Sequence, residues 1–280
     1  MTGRLAVALL ALGLVTSVTL ARADEFKPTP ILPQVAKGID IEDRRGAVAP
    51  KGLTFTSQDG KTVALGDYFD GQHPVIVVLA YYQCPMLCTL VLNGLKSGLA
   101  DLAWAPGKEF KVVTVSFDPR DTVEAAAKKR ASYVKSYGRP VGDHGWDFLV
   151  GEQDHVKQLA DTIGFRYRWD EDQKQFAHAA GAFIFTPDGR LSQVLKGITF
   201  TERDLRLALT EASAGKLGST WDQVLLLCYH YDPDAGNYVL MGVRMMQIAG
   251  GVTVLLLGGW LLRMWRRDQA RHVTPAGDVA

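Results

Sequence analysis

A chain of 280 residues, 47% hydrophobic and 22% charged, is long enough for one or two folded domains and too apolar to be a disordered tail. Its formal net charge of +1 hides an uneven spread. Two basic residues lie before position 24 and five from Arg244 onward, and two acidic ones lie in the tail. What remains is 24 Lys and Arg against 28 Asp and Glu, near −4, with no basic stripe for nucleic acid. Three cysteines are too few for a disulfide scaffold and point to chemistry instead.

Residues 1–23 set Arg4 before an apolar stretch and end in Ala21-Arg22-Ala23, the charged, apolar and cleavage regions of a secretory signal peptide. An uncleaved anchor is the alternative. Residues 24–50, rich in Pro and charge, read as a linker. A domain is expected over 51–215. It opens on a hairpin turning at Asp59-Gly60. The continuous apolar run "PVIVVLAYY" predicts a strand buried on both faces, and "MLCTLVLNGLKSGLADLAW" then has helical spacing. A second buried strand, "FKVVTVSFD", precedes a helix capped by Asp121 or Thr122 and stopped by Gly138. Strand "WDFLVG", helix "EQDHVKQLADTIGF", a strand folded at Asp188-Gly189 and helix "TERDLRLALTEASAG" complete it. Strands alternating with helices predict an α/β sheet covered on both faces.

A juxtamembrane segment over 216–240 follows, with a turn at Asp232-Pro233 and Gly236. The uncharged residues 245–262, with Trp260 and Trp265 and then Arg263, Arg266, Arg267 and Arg271, predict a transmembrane helix over 241–265 and a cytoplasmic tail over 266–280. The chain is therefore expected in a membrane by a single C-terminal span, its main domain on the exported, periplasmic or extracellular, side.

Cys84 and Cys88 fall where the first buried strand ends and a helix begins, the edge at which open α/β sheets gather ligands. A helix N-terminus favours thiolate, and the i, i+4 spacing sets both sulfurs on one helix face. The pair can form a disulfide, bind a metal, or pack as small apolar residues.

Three stretches carry a resemblance: "YYQCPMLCTLVLNGL", "VSFDPRDTVEAAAKKRASYV" and "FAHAAGAFIFTPDGRL". In order and spacing they resemble the SCO/SenC family of thioredoxin-like copper proteins, which take part in assembling the copper centre of cytochrome c oxidase. The likeness covers roughly residues 50–212. It implies a thioredoxin-like fold, a central mixed sheet flanked by helices, with Cys84, Cys88 and His178 as copper ligands and Asp118 as the acidic residue beside them. Two thiolates and an imidazole form a soft set suited to Cu(I) and able to hold Cu(II). The chain departs from the family in having Met86 where C-P-D-x-C has its aspartate, in a "DPRDT" one residue short, and in its C-terminal anchor.

The resemblance implies a metallochaperone that delivers copper to an oxidase subunit, with a periplasmic copper carrier or a thiol reductant as further partners. The alternative is a thiol-disulfide oxidoreductase with Cys84 and Cys88 as the redox-active pair; a third is a sensor signalling by contact. Three residues between the thiols, not two, make a poor copy of a thioredoxin site, and "FAHAAGAFIF" lacks the proline that thioredoxins carry there. Cys228 and His230 suggest a second soft-metal station or an intermolecular disulfide, against a simple buried cysteine. His73, His144 and His155 are expected to face solvent, and Asp161 and Asp170 to be ordinary surface charges.

Overall fold

The structure, a computed structural model, describes residues 39–271 except 85, 215, 216, 218, 220, 223, 224, 227, 228 and 241. The expected signal peptide and tail residues 272–280 lie outside these. Gly60, at φ 74°, turns β1 (Thr54–Ser57) back into β2 (Thr62–Ala64). β3 (Val75–Ala80) is buried at all six positions, as a strand sheltered on both faces must be. Each Val, Ile or Leu there contributes roughly 1.5–3 kcal/mol of burial. Helix α1 (Leu87–Asp101) returns the chain to β4 (Lys111–Ser116), which pairs with β3 in parallel.

Helix α2 (Val123–Tyr137) is capped by Thr122, whose hydroxyl accepts from the Ala125 amide, and ends at Gly138 in the left-handed region. Asp121, the other candidate cap, is instead buried beneath the loop. β5 (Trp146–Val150), α3 (Gln153–Ile163), β8 (Gly181–Phe185), β9 (Leu191–Lys196) and α4 (Glu202–Ala212) occupy the expected stretches. Between α3 and β8 stands a hairpin absent from the expectation, β6 (Tyr167–Asp170) and β7 (Gln175–His178), forming a two-stranded sheet of its own.

The main sheet runs β2-β1-β5-β4-β3-β8-β9, with β5, β4 and β3 parallel and the others antiparallel to their neighbours. Its β3-α1-β4 crossover with the β8-β9-α4 unit alongside is the thioredoxin-like arrangement. The core is aromatic on the β4–β5 side, where Trp146 stacks on Phe148 at 5.9 Å.

The folded unit reaches past 51–215 at both ends. Ile41 and Ala49, in the stretch read as linker, are buried, and the Glu42 and Ala49 amides donate to the Gly164 and Gly189 carbonyls. Beyond α4, β10 (Tyr229–Asp232) and β11 (Asn237–Leu240) form a hairpin turning at Gly236. Tyr231 and Tyr238 are buried, the latter donating to Glu211 at 2.6 Å.

Helix α5 (Gly242–Arg271) follows, but the transmembrane expectation is not supported: among the described residues no helix is long and apolar enough to cross a membrane. Its densest apolar run, residues 252–262, is 11 residues long and includes Thr253, Gly258 and Gly259. At 1.5 Å per residue that reaches about 16 Å of the roughly 30 Å required.

Candidate metal centre

Strand β3 delivers Tyr81 and Tyr82 to the edge of the sheet, and the chain turns there into α1. The N-cap, Met86, supplies no side-chain cap; the Cys88 amide donates instead to Cys84 Sγ at 3.2 Å. Sulfur thus occupies the place of the oxygen that usually caps a helix. The Tyr81 amide donates to Cys88 Sγ at 3.4 Å. Both cysteines are free and buried, Cys84 8% and Cys88 1% exposed.

His178 ends β7, opposite Tyr167 on β6. Its Nε2 lies 3.1 Å from Cys88 Sγ, while Nδ1 sits 2.7 Å from the Ala179 carbonyl oxygen. A carbonyl only accepts, so Nδ1 carries the proton and the Nε2 lone pair faces the sulfurs. The ring is packed among Phe117, Tyr81 and Phe165, with centroids at 5.2, 6.0 and 6.1 Å. Cys84, Cys88 and His178 together offer three donor atoms within 4.8 Å of one another, all buried.

The two thiols share their environment unequally. Hydrogen bonding from Cys88, with a further bond from Tyr81, holds the Cys84 thiol below its usual range against the cost of burial. Burial pushes Cys88 the other way, helped by the hydrogen bond and charge of Cys84. The two shifts pull the pair apart, Cys84 toward the thiolate form and Cys88 toward the thiol. Two sulfurs so placed can serve as a nucleophile or as a soft ligand set.

Asp118 is not one of the three converging donors. Its buried carboxylate takes Arg120 Nε and Nη2 in a two-pronged pair at 2.8 and 2.7 Å, and the Arg120 amide at 2.9 Å. The same guanidinium lies 4.7 Å from the Trp169 ring and 5.9 Å from that of Phe176, on the two strands of the histidine hairpin. Arg120 therefore ties the loop after β4 to the element that carries His178. A second tie binds that loop to the strand end leading to the cysteines: Asp121 accepts from the Tyr82 amide at 2.6 Å, and also from the Ser116 hydroxyl at 2.5 Å.

Arg120 is a positioning residue, and Arg120→Ala is expected to loosen the hairpin. Amide hydrogen exchange should speed up across β6 and β7 and stay unchanged in β3 and β4. Unaltered exchange in the hairpin would show that the stacked guanidinium holds nothing in place.

Neither Arg120 nor Tyr81 was singled out by the sequence; only the hairpin's alternating Tyr167, Trp169 and Phe176, His178 signalled a half-buried pair of strands. The three histidines expected to face solvent each have a partner. His73 pairs with Asp70 and His144 with Asp147, both at 2.8 Å, and His155 Nδ1 meets the Thr54 carbonyl at 2.9 Å. Asp161 pairs with Lys157 and Arg166 at the surface, as expected. Asp170 accepts from the Asp172 and Gln173 amides, shaping the hairpin turn. Cys228 lies outside the described residues, and of His230 only its place in β10 opposite Val239 is described.

Comparison with known proteins agrees with this arrangement. The SCO1/SenC family profile matches residues 44–211. No curated protein matches the chain. Among solved structures, a candidate electron transfer protein from Aquifex aeolicus VF5 is 24% identical. It covers 61% of this chain and 96% of its own, with a TM-score of 0.54, and so shares the fold. ScoI of Bradyrhizobium japonicum, solved with copper bound, is 21% identical over 58% of this chain and 96% of its own, with a TM-score of 0.41. ScoI of Arabidopsis thaliana, also with copper bound, is 22% identical over 51% and 85%, with a TM-score of 0.42. With the family profile spanning more than half of its length and every one of the three motifs, the chain belongs to the SCO1/SenC family.

Proposed function

We propose that the chain is a metallochaperone: it takes copper through Cys84, Cys88 and His178 and delivers it to the copper centre of a respiratory oxidase. The observation that carries this is the convergence of two sulfurs and an imidazole nitrogen within 4.8 Å. The donor set fits the ion. Nε2 presents its lone pair, and soft sulfur ligands favour Cu(I) while imidazole extends the set to Cu(II). The purified protein should bind one copper per chain, and Cys84→Ser with Cys88→Ser should bind none. Full occupancy in the double variant would overturn the assignment.

Thiol-disulfide exchange is the second reading, favoured by one specific feature: Cys84, shifted toward thiolate, stands beside Cys88, so one can attack a disulfide and the other resolve the mixed product. Both readings place the domain outside the cytoplasm. Although α5 lacks the contiguous apolar length of a span, Leu255, Leu256, Leu257, Leu261 and Leu262 all stand exposed on it, and we assign it to the membrane surface. Ending the chain after Leu240 should move the protein from the membrane pellet to the soluble fraction. A truncated chain still found in the pellet would place the anchor elsewhere.

A further inference from the structure

We propose that Met86 is a fourth copper donor, an exposed thioether through which Cu(I) enters and leaves the buried Cys84, Cys88 and His178 set. The proposal rests on the copper-binding reading above.

It starts from an accessibility problem. Cys84, Cys88 and His178 are 8%, 1% and 6% exposed, so they offer little surface to a copper ion carried by a partner. Transfer between soft ligand sets proceeds by adding a new ligand before an old one leaves. That needs at least one donor within a partner's reach.

Met86 is 64% exposed and stands two residues from each cysteine. Its backbone, at φ −144° and ψ −76°, is not helical, so the residue sits ahead of the first turn of α1 and is not locked into the helix face. Its carbonyl accepts from the Leu90 amide at 3.0 Å, which fixes the backbone, while the side chain caps nothing.

The chemistry of the side chain fits that place. Methionine is unbranched, has three rotatable bonds and ends in a polarizable sulfur, so it can swing over the site or away from it. A thioether is soft, which selects Cu(I) over harder divalent ions. It is also neutral and binds copper more weakly than a cysteine sulfur. Capture by Met86 followed by migration to the two cysteines is therefore downhill. In the outward direction Met86 stabilises the ion as Cys84 lets go.

The simplest rival role is an apolar contact for a docking partner. Leucine separates the two, since Met86→Leu keeps the apolar volume and removes the sulfur.

The full-length protein would be loaded anaerobically with Cu(I), and transfer to a coloured Cu(I) chelator followed by absorbance. For Met86→Leu we expect transfer slower by about tenfold in both directions, with a smaller change in the equilibrium partition. In methyl-labelled wild type, Ag(I) as a Cu(I) surrogate should shift the Met86 ε-methyl NMR signal, which is assigned by its absence in Met86→Leu. Equal transfer rates in wild type and Met86→Leu would overturn the proposal, as would a Met86 methyl signal unmoved by Ag(I). A wild type that holds no Cu(I) would bring down the copper reading itself, and the thioether role with it. Wild type and Met86→Leu can be compared directly, because an exposed side chain outside the helix carries little of the fold.

Discussion

His178→Ala is expected to abolish Cu(II) binding and oxidase assembly together, while Cys84 and Cys88 still form a disulfide. His178 is the nitrogen donor of the set, with Nε2 3.1 Å from Cys88 Sγ and its tautomer fixed by the Ala179 carbonyl. Removing it leaves two sulfurs, enough for Cu(I), which accepts low coordination, and poor for Cu(II). Disulfide exchange needs only the thiolates, an accessible sulfur and a suitable poise. The two readings therefore separate at this residue and nowhere else in the site, since loss of either cysteine ends both. His178→Phe is the companion variant: it keeps a ring against Phe117, Tyr81 and Phe165 while removing the donor, so its Cu(II) loss cannot come from a collapsed pocket. The measurements are Cu(II) titration by absorbance, thiol counting after mild oxidation, and oxidase activity in a host lacking the wild-type chain. Full assembly with His178→Ala, but none with Cys84→Ser, would remove delivery and leave reduction as the function.

What could be read from the sequence is what short-range pattern encodes. β3 and β4 are unbroken apolar runs, so they declared themselves as buried strands, and Thr122 and Gly138 bracket α2 by ordinary capping chemistry. The donors Cys84, Cys88 and His178 stood out by residue type within recognisable motifs. What stayed hidden depends on partners far along the chain. The hairpin β6–β7 is short and only half-buried, its apolar signal carried by aromatics around an acidic turn, and so nothing in the short-range pattern announced it. Arg120 gains meaning only when Trp169 and Phe176, some fifty residues later, stack under it. The linker's Ile41 and Ala49 looked solitary in sequence because the surfaces that bury them lie around Gly164 and Gly189. At the C-terminal end, glycines within an uncharged stretch gave the composition of a span without enough contiguous apolar length.

Two glycines in α1 belong to the same hidden class, and they set the second large effect. Gly94 and Gly98 lie one turn apart on the helix that begins with Cys88 near its start. A Cβ at Gly94 would lie 1.9 Å from the Ile198 carbonyl oxygen, and one at Gly98 would lie 2.1 Å from that of Phe200 and 2.7 Å from Leu205 Cδ1. The helix is thus seated directly against the backbone leading into α4. Two effects of a Gly→Ala change oppose each other here. Alanine favours the helix by about 0.8–1 kcal/mol. Overpacking a well-filled interior costs typically about 1–3 kcal/mol, and the atoms met are main-chain oxygens that cannot swing aside, so the upper end or beyond applies. The clash wins. Gly94→Ala should lower stability by about 2 kcal/mol, a Tm drop of about 4–8 °C for a domain of this size. Adding Gly98→Ala should cost less than twice as much, because one shift of the helix relieves both contacts. Gly250→Ala in α5, where nothing lies within 4 Å, is the control and should leave the melt unchanged or slightly raised. A Tm raised by Gly94→Ala would mean that α1 can move outward at no cost. The displaced helix also carries Cys88, whose sulfur meets His178 at 3.1 Å, so Gly94→Ala should weaken Cu(II) binding along with stability, even though no donor has been touched.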